Sequence, residues 1–566
     1  MTAERIAPAV ETKLPFYRTW TCKVAVVFLI GAMLLSFNLS GYRTFSSHEG
    51  FAVVPAQEML ESGNYVVPYY AGIPRLKKPP LVYWVLSGSA TLFGDLNEFT
   101  ARMPQVLSAL LLAALSYRWG KEWYGQNVGL AAALVQLTSV YVLDFGRKAE
   151  IDMTLCLLTT AAMYLVATSD PRTSYRESFP QITGIFALLS VSWLAKFHYG
   201  PVMVIAPTVV FFLVQKRYSE FLKMLNPVGL LIAAAAIGIW PWLVLQRLPG
   251  AWEVWESETV GRAVGELGSE PVWYYGPHIL TSMLPWSLFA VAAWPSSWRK
   301  AWKEKDARER FLWIWFLVQL AIMSSQANKH KHYLMSLLPL LSLMAGTQLV
   351  RVEAILPKVA AFFSKWRAIG FSLLSVGAAG GTYYIVNHRW PWMRETAVIL
   401  GLTIATGLLA SIWFSNRGRA NASFRSIGVM GLVCYLVVNA QIIPGRDHRA
   451  AAARFANEVR RELGPNSEVL AYKTGEWHPF VFYLGGEVHR IETPETLAEY
   501  LHVHPRTPML AFESDLPEIG TVAHYEPVRT MTWTGEEAAP KHAPLVWIEL
   551  SEPVAPVNRV AQVPGD

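Results

Sequence analysis

Pro227-Val-Gly-Leu-Leu-Ile-Ala-Ala-Ala-Ala-Ile-Gly-Ile-Trp-Pro-Trp-Leu-Val-Leu-Gln246 runs for twenty residues without a charge. At 1.5 Å of rise per residue, a helix of this length covers about 30 Å, the thickness of a bilayer's hydrocarbon core. The same pattern recurs on both sides of it. Candidate spans lie near 22–40, 102–119, 127–143, 151–168, 182–198, 200–215, 227–246, 276–298, 311–327, 332–350, 367–386, 396–414 and 424–443, about thirteen in all. The pair 182–198 and 200–215 is short and joined by Lys196-Phe-His-Tyr-Gly-Pro201. The proline-led, amphipathic stretch 79–95 is expected to lie along the interface instead.

Composition agrees. Of 566 residues, 53% are hydrophobic and only 16% charged, against about 25% charged in an average soluble domain. The charge needed to cover several soluble domains is missing, and the apolar content excludes disordered and collagen-like classes. The expected fold class is a polytopic α-helical membrane protein.

The surplus of 49 Lys+Arg over 42 Asp+Glu reads as a topology signal. Basic residues collect in alternate loops: Arg118/Lys121, Arg172/Arg176, Lys216/Arg217/Lys223, Arg299–Arg310, Arg351–Arg367 and Arg417/Arg419/Arg425. With the tail 1–21, which has no cleavable-signal pattern, these make the expected cytoplasmic side. The membrane domain is expected over 22–443, and an odd number of spans puts the C-terminus outside. No phosphate loop, zinc-finger spacing or basic helical stripe points to nucleic acid. Cys22, Cys156 and Cys434 lie far apart in or beside apolar stretches, so neither a disulfide framework nor a metal site is indicated.

The opposite side holds the long loops 41–101 and 247–275 and everything after 443. In 444–566, Ser467–Tyr472, Pro508–Phe512 and Leu545–Leu550 read as short strands, and 448–463 and 494–502 as helices. A small α/β extracytoplasmic domain is expected there. No internal repeat is visible, which weighs against inverted-repeat transporters.

Ionisable residues at or near membrane depth are costly and suggest a site. They concentrate on that same side, in Ser46-Ser-His-Glu-Gly50, Arg75-Leu-Lys-Lys-Pro-Pro80, Arg147-Lys-Ala-Glu-Ile-Asp-Met153, Glu256-Ser-Glu-Thr-Val-Gly-Arg262 and Asn328-Lys-His-Lys-His-Tyr333. Carboxylates and cations together suit an anionic lipid substrate. Moving a sugar from a lipid phosphate to a hydroxyl needs a proton acceptor and cations to steady the leaving phosphate. Glu49, Glu150 and Asp152 fit the first role; Lys78, Arg262, Lys329 and Lys331 fit the second. His48 could serve as base, hydrogen-bond donor or metal ligand.

Each has a plainer reading. Glu49 could be a helix-start acid, Asp152 a structural partner of Arg147 or Lys148, and Glu150 a solvated neighbour. Lys78 could snorkel, Arg262 could be a solvated loop residue, and Lys329–His332 could contact headgroups. No tight ligand spacing in His48, Glu49, Asp152 and His332 supports a metal, so no cofactor is expected and a divalent ion is left open.

These loops resemble the GT-C glycosyltransferases of the protein-mannosyltransferase/aminoarabinose-transferase group over roughly residues 20–345. The resemblance rests on His48-Glu49…Glu58-Met-Leu-Glu-Ser-Gly63-Asn-Tyr-Val-Val-Pro68, Lys78-Pro-Pro-Leu-Val-Tyr-Trp84 and Asn97-Glu-Phe-Thr-Ala-Arg102-Met-Pro104. Asp152-Met153, Pro271-Val-Trp-Tyr-Tyr275…Leu284-Pro-Trp286 and Lys331-His-Tyr-Leu334…Leu338-Pro339 follow in the same order. It implies an inverting enzyme using a polyprenyl-phosphate-linked sugar at the outer face of a bacterial inner membrane, acting on a lipid or other envelope acceptor. It also implies Glu49 and Asp152 as cavity acids, with His48 beside them, and Lys78 in the first loop. Tyr83, Trp84, Glu150, His332 and Tyr333 complete the expected acceptor cavity, in a chain expected to act as a monomer.

Three departures stand out. The family often opens its first motif Asp-Glu, where this chain has His48-Glu49. Its Lys-Gly-Pro near the sixth helix becomes Lys196-Phe-His-Tyr-Gly200-Pro201. Pro55 would cost a hydrogen bond in a helix over 50–61, which is therefore expected to start late or bend. The rival reading is a transporter or flippase of a lipid-linked sugar, which would spread ionisable groups through the bilayer midplane. A non-catalytic envelope scaffold has only the lost first acid in its favour.

Overall fold

A computed structural model describes residues 20–256, 270–362, 393–445, 447, 449–464, 467–473, 480–531 and 544–553, with scattered positions between 370 and 384. The chain opens with α1 (Trp20–Ser36), α2 (Ser47–Ser62), α3 (Leu81–Phe93), α4 (Glu98–Tyr124), α5 (Gln126–Thr138) and α6 (Val140–Phe145). Then come α7 (Asp152–Ala167), α8 (Tyr175–Lys196), α9 (Tyr199–Val214), α10 (Tyr218–Lys223) and α11 (Pro227–Arg247). Later long helices are Ser287–Trp302, Ala307–Ser325, Leu338–Phe362, Arg394–Asn416 and Ala420–Val437.

Six helices among the described residues are long and apolar enough to cross a membrane, seven if one bent pair is a single span. This is fewer than the sequence count of spans, for local reasons. The stretch 127–143 breaks at Ser139, whose extended backbone (ψ 138°) separates α5 from α6. The stretch 276–298 bends by 114° between Val272–Ser282 and Ser287–Trp302, around Met283-Leu-Pro-Trp286, where proline removes a helical donor. Apolar helices α1, α7 and α9 have 17, 16 and 16 residues, and much of 367–386 lies outside the described residues. α3 occupies most of the stretch expected at the interface and exposes Leu92 and Phe93 at its end.

The helical core is knitted by aromatic residues. Trp119 and Trp315 stack at 5.6 Å, and Phe211 meets Phe311 edge-on at 5.0 Å. Gly120 and Gly129 let α4 and α5 touch, since a Cβ on Gly120 would lie 2.9 Å from the Gly129 Cα.

α2 starts at Ser47, ahead of Pro55, so the expected late start is corrected. The cause is a capping box: the Ser46 hydroxyl accepts from the Glu49 amide, and the Glu49 carboxylate accepts from the Ser46 amide. That gain fixes the first turn before the proline is reached.

The C-terminal segment forms a five-stranded mixed sheet in the order β4-β3-β5-β7-β6. Its strands are β3 (Val469–Tyr472), β4 (Val488–Ile491), β5 (Pro508–Phe512), β6 (Ala523–Thr530) and β7 (Leu545–Pro553); β1 (Tyr69–Tyr70) and β2 (Ile73–Pro74) make a separate hairpin. β3 pairs parallel with β4 and β5, whereas β7 is antiparallel to β5 and β6. Helices Arg449–Leu463 and Pro494–Val503 cover it.

This domain is built onto the first long loop. Phe51, Val54 and Tyr70 share one buried cluster with Phe455, Val459, Phe480 and Leu484. Asp447 accepts from the Thr44 amide at 2.5 Å and its hydroxyl at 2.7 Å. The Tyr483 hydroxyl accepts from the Phe45 amide at 2.9 Å and donates to Glu98 at 2.7 Å.

Arg102 of α4 completes the grip from within the membrane domain. Fully buried, it donates to Glu49 at 2.9 Å and to the Leu39 and Arg43 carbonyls at 2.8 and 3.1 Å. Removing one partner of such a buried pair costs about 3–5 kcal/mol, because the other charge stays buried. Arg102→Met should therefore lower the melting temperature of the detergent-purified protein by several degrees. Combining it with Glu49→Leu should recover much of the loss, and purely additive losses would count against the pairing.

Candidate functional site

Asp152 is the first residue of α7 and Lys196 the last of α8. The Lys196 ammonium lies 2.9 Å from the Asp152 carboxylate, with His332 Nε2 4.0 Å from the same oxygen and 3.4 Å from the ammonium. His332 stacks on His330 at 5.2 Å with ring planes 9° apart. Tyr199 and Tyr333, 5.0 Å apart, flank the lysine. Asp152, His332 and Tyr333 line a small cavity of about 20 Å³.

Asp152 is therefore paired with neither Arg147 nor Lys148. Arg147 is buried against the Tyr435 hydroxyl at 2.9 Å and the Asn439 side chain. Lys148 reaches Asp144 at 2.6 Å.

The first-loop residues divide. Lys78 and His48 lie within electrostatic range of Asp152: the charges acting on His48 are those of Lys78, His330, Asp152 and Lys148. Burial, with Lys78 adding to it, holds the His48 imidazole below its ordinary value, so the ring is neutral at neutral pH. Burial and the Lys196 charge likewise push the Lys78 ammonium down. Burial pushes the half-buried Glu150 carboxyl up, with Asp152 and Glu49 adding to the effect against Lys148. Glu150 is thus not simply a solvated neighbour.

Glu49 is used differently from the expectation. Its carboxylate is fully buried, takes hydrogen bonds from Arg102, the Ser46 amide (2.9 Å) and the Ala149 amide (3.1 Å), and has Arg43 at 3.5 Å. Burial alone would raise its pKa, but the two arginines outweigh it and bring it to about 2. A carboxylate so occupied is a poor proton acceptor, and its contacts in this structure are those of a fold-holding residue.

Other expectations shift too. Lys329 is buried and donates to the carbonyls of Glu270 and Gln326 at 2.7 and 2.6 Å, so its ammonium holds a loop end and faces no open chamber. Lys331 is exposed. Tyr83 is fully buried in the packing of α2, α3 and α4. Trp84 donates to the Tyr65 carbonyl at 2.8 Å and lines a separate groove of about 390 Å³ with Ser87 and Thr91. Neither ring reaches the Asp152 cavity. Arg262 lies outside the described residues. Among the described residues no group of three or more His, Cys, Asp or Glu side chains is arranged to hold a metal ion.

Sequence reasoning did not select Lys196 or Arg102 as candidate site residues, and took His330 only as part of the basic Lys329–His332 run. The signal was present: Lys196 and Arg102 are charges inside or at the end of apolar runs, the placement that marks paired, functional groups in membranes.

Comparison with known proteins fits this architecture. Residues 77–244 match the family described as dolichyl-phosphate-mannose-protein mannosyltransferase. An undecaprenyl phosphate-alpha-4-amino-4-deoxy-L-arabinose arabinosyl transferase of Proteus mirabilis is 28% identical over 436 residues, covering 74% of this chain and 76% of its own. Another, of Pseudomonas fluorescens, is 29% identical over 313 residues, 53% of this chain and 52% of its own. The crystal structure of ArnT from Cupriavidus metallidurans bound to undecaprenyl phosphate superposes with a TM-score of 0.72 at 19% identity, over 93% of this chain and 97% of that one. Its apo form gives 0.74 at 18% identity, over 94% and 98%. The fold is that of the two ArnT structures, a polytopic helical membrane protein carrying a C-terminal sheet domain. In sequence the chain is similar to the protein-mannosyltransferase family over residues 77–244 and to aminoarabinose transferases over most of its length.

The Glu49 environment has a pH signature. Its carboxyl sits at about 2 in the folded protein against about 4.3 unfolded. Its stabilising contribution is thus complete above the unfolded value and lost as pH falls toward 2. Wild-type melting temperature should fall more steeply between pH 5 and pH 3 than that of Glu49→Gln; parallel slopes would contradict the assignment.

Proposed function

We propose that the protein transfers a sugar from a polyprenyl-phosphate carrier to a lipid of the cell envelope at the outer face of a bacterial inner membrane, with inversion. The similar proteins named above carry undecaprenyl phosphate and aminoarabinose in their names, which makes an aminopentose on undecaprenyl phosphate the first donor to try and a lipid A-like molecule the first acceptor.

One observation carries the reading. Lys196 bonds Asp152, and Lys78 and His48 lie within electrostatic range of that pair, so four distant parts of the chain contribute. Such a set supplies both halves of the chemistry. The lysines offset the charge that grows on the phosphate as the glycosidic bond breaks. His48, neutral at working pH, accepts the proton of an acceptor hydroxyl. It stands where the family often has an acid, so the first-motif function passes to an imidazole. Asp152 keeps Lys196 charged and aimed. Glu49 acts through the fold: it ties the His48-bearing loop to α4 and to Ala149, three residues before Asp152.

In the same reading, basic loops lie in the cytoplasm and the sheet domain lies outside, covering the first loop. A transporter would need ionisable groups reachable from both sides, whereas these gather at one end of α7 and α8.

Sugar transfer from a purified polyprenyl-phosphate sugar tests the assignment. Asp152→Asn, which deprives Lys196 of its partner, should lower turnover about 10²- to 10³-fold. His48→Ala should lower it and abolish the acidic limb of the kcat/KM profile. Full turnover in both folded variants would overturn the roles, and lipid translocation without transfer would favour the transporter. For topology, exposed Arg506 changed to Cys in a background without Cys22, Cys156 and Cys434 should react with an impermeant maleimide added outside intact cells. Protection would reverse the orientation.

A further inference from the structure

Between α8 and α9 the chain turns in two residues, Phe197 and His198. Phe197 takes φ 45°, a left-handed conformation unfavourable for a residue with a Cβ. Its ring is held by Trp193 at 5.5 Å and Trp240 at 6.3 Å, and this packing offsets the strain. The turn sets Tyr199 beside Lys196, whose ammonium lies 5.2 Å from the Tyr199 ring centroid.

Tyr199 lines the same 20 Å³ cavity as Asp152, His332 and Tyr333. Its hydroxyl is buried and meets no hydrogen-bond partner among the described residues. Buried hydroxyls are nearly always paired, and an unpaired one calls for an explanation in function. Asp152 does not supply the partner: its Oδ1 accepts from Lys196, and no hydrogen bond joins it to the phenol. A cavity of that size has room for about one water-sized atom, which admits a single oxygen and excludes a sugar ring. A neutral phenol beside an ammonium is suited to donate to an oxyanion.

Resting on the donor reading above, we propose that the Tyr199 hydroxyl donates to one non-bridging phosphate oxygen of the polyprenyl-phosphate carrier, making Tyr199 a specificity-determining residue of the donor site. The Phe197-His198-Tyr199 segment between Lys196 and Gly200-Pro201 is then a built part of the binding site. Lys196 supplies the charge and Tyr199 the direction. Both groups release the phosphate unchanged, since the hydrogen bond moves no proton.

Equilibrium binding to the detergent-purified full chain tests this, with undecaprenyl phosphate and undecaprenol as probes and wild type, Tyr199→Phe and Asp152→Asn as proteins. Tyr199→Phe keeps the ring over Lys196 and removes only the hydroxyl. It should weaken undecaprenyl phosphate binding about 10- to 100-fold, the range for a charge-assisted hydrogen bond, and leave undecaprenol unchanged. Equal affinity of wild type and Tyr199→Phe for the phosphate would overturn the proposal. An equal loss for both lipids would overturn it as well, placing the hydroxyl in the fold or against the sugar-free chain. If wild type binds the two lipids alike and Asp152→Asn changes nothing, the donor reading itself fails.

Discussion

The buried ion pair of Glu49 and Arg102 is the constraint from which the site's geometry follows. In a low-dielectric setting neither charge is tolerable alone. Each is satisfied only when α2, α4 and the 147–152 segment lie together, since the pair also takes the Ala149 amide and the Leu39 and Arg43 carbonyls. The sheet domain reinforces this from outside through Asp447 on Thr44 and Tyr483 between Phe45 and Glu98. Loop 43–49 is thereby held from two sides, and His48, the residue proposed above as base, is carried on that fixed loop.

Beside that rigid frame, the reacting groups are arranged by charge. Asp152 and Lys196 begin and end adjacent helices, so their contact is set by helix packing and not by a mobile loop. Lys78 stands within electrostatic range of both. The result is a site with more positive than negative reach toward a ligand, because one carboxylate is committed to Lys196 and Glu49 to Arg102. Under the proposed function an anionic lipid headgroup complements this charge, with Tyr199 and Tyr333 lining the cavity beside it.

Much of this was legible in the residues. Uninterrupted apolar runs such as 227–246 named the membrane class, and the runs Pro508–Phe512 and Leu545–Leu550 named core strands of the sheet domain. β4 and β6 were not legible. The first is four residues long with His489 and Arg490 in its middle, and the second is a polar edge strand interrupted at Pro527, whose missing amide an edge tolerates. The break at Ser139 and the bend near Pro285 also escaped, because hydropathy measures length and not continuity. At the site, sequence pointed to Asp152, Lys78 and His48, and grouped Glu49 with Asp152 as a candidate proton acceptor. What distinguishes a reacting carboxylate from a structural one is its partner, and Arg102 lies 53 residues away. Spacing along the chain does not contain that pairing.

The central claim is that one chamber at the outer ends of α7 and α8 holds the carrier phosphate between Lys196, Lys78 and His48. A cryo-EM map of the full-length protein in nanodiscs with undecaprenyl phosphate tests it most directly. The account predicts phosphate density within hydrogen-bond distance of Lys196 or Lys78, with Glu49 still on Arg102. Phosphate density in the groove beside Trp84, or at the opposite membrane face, would contradict it.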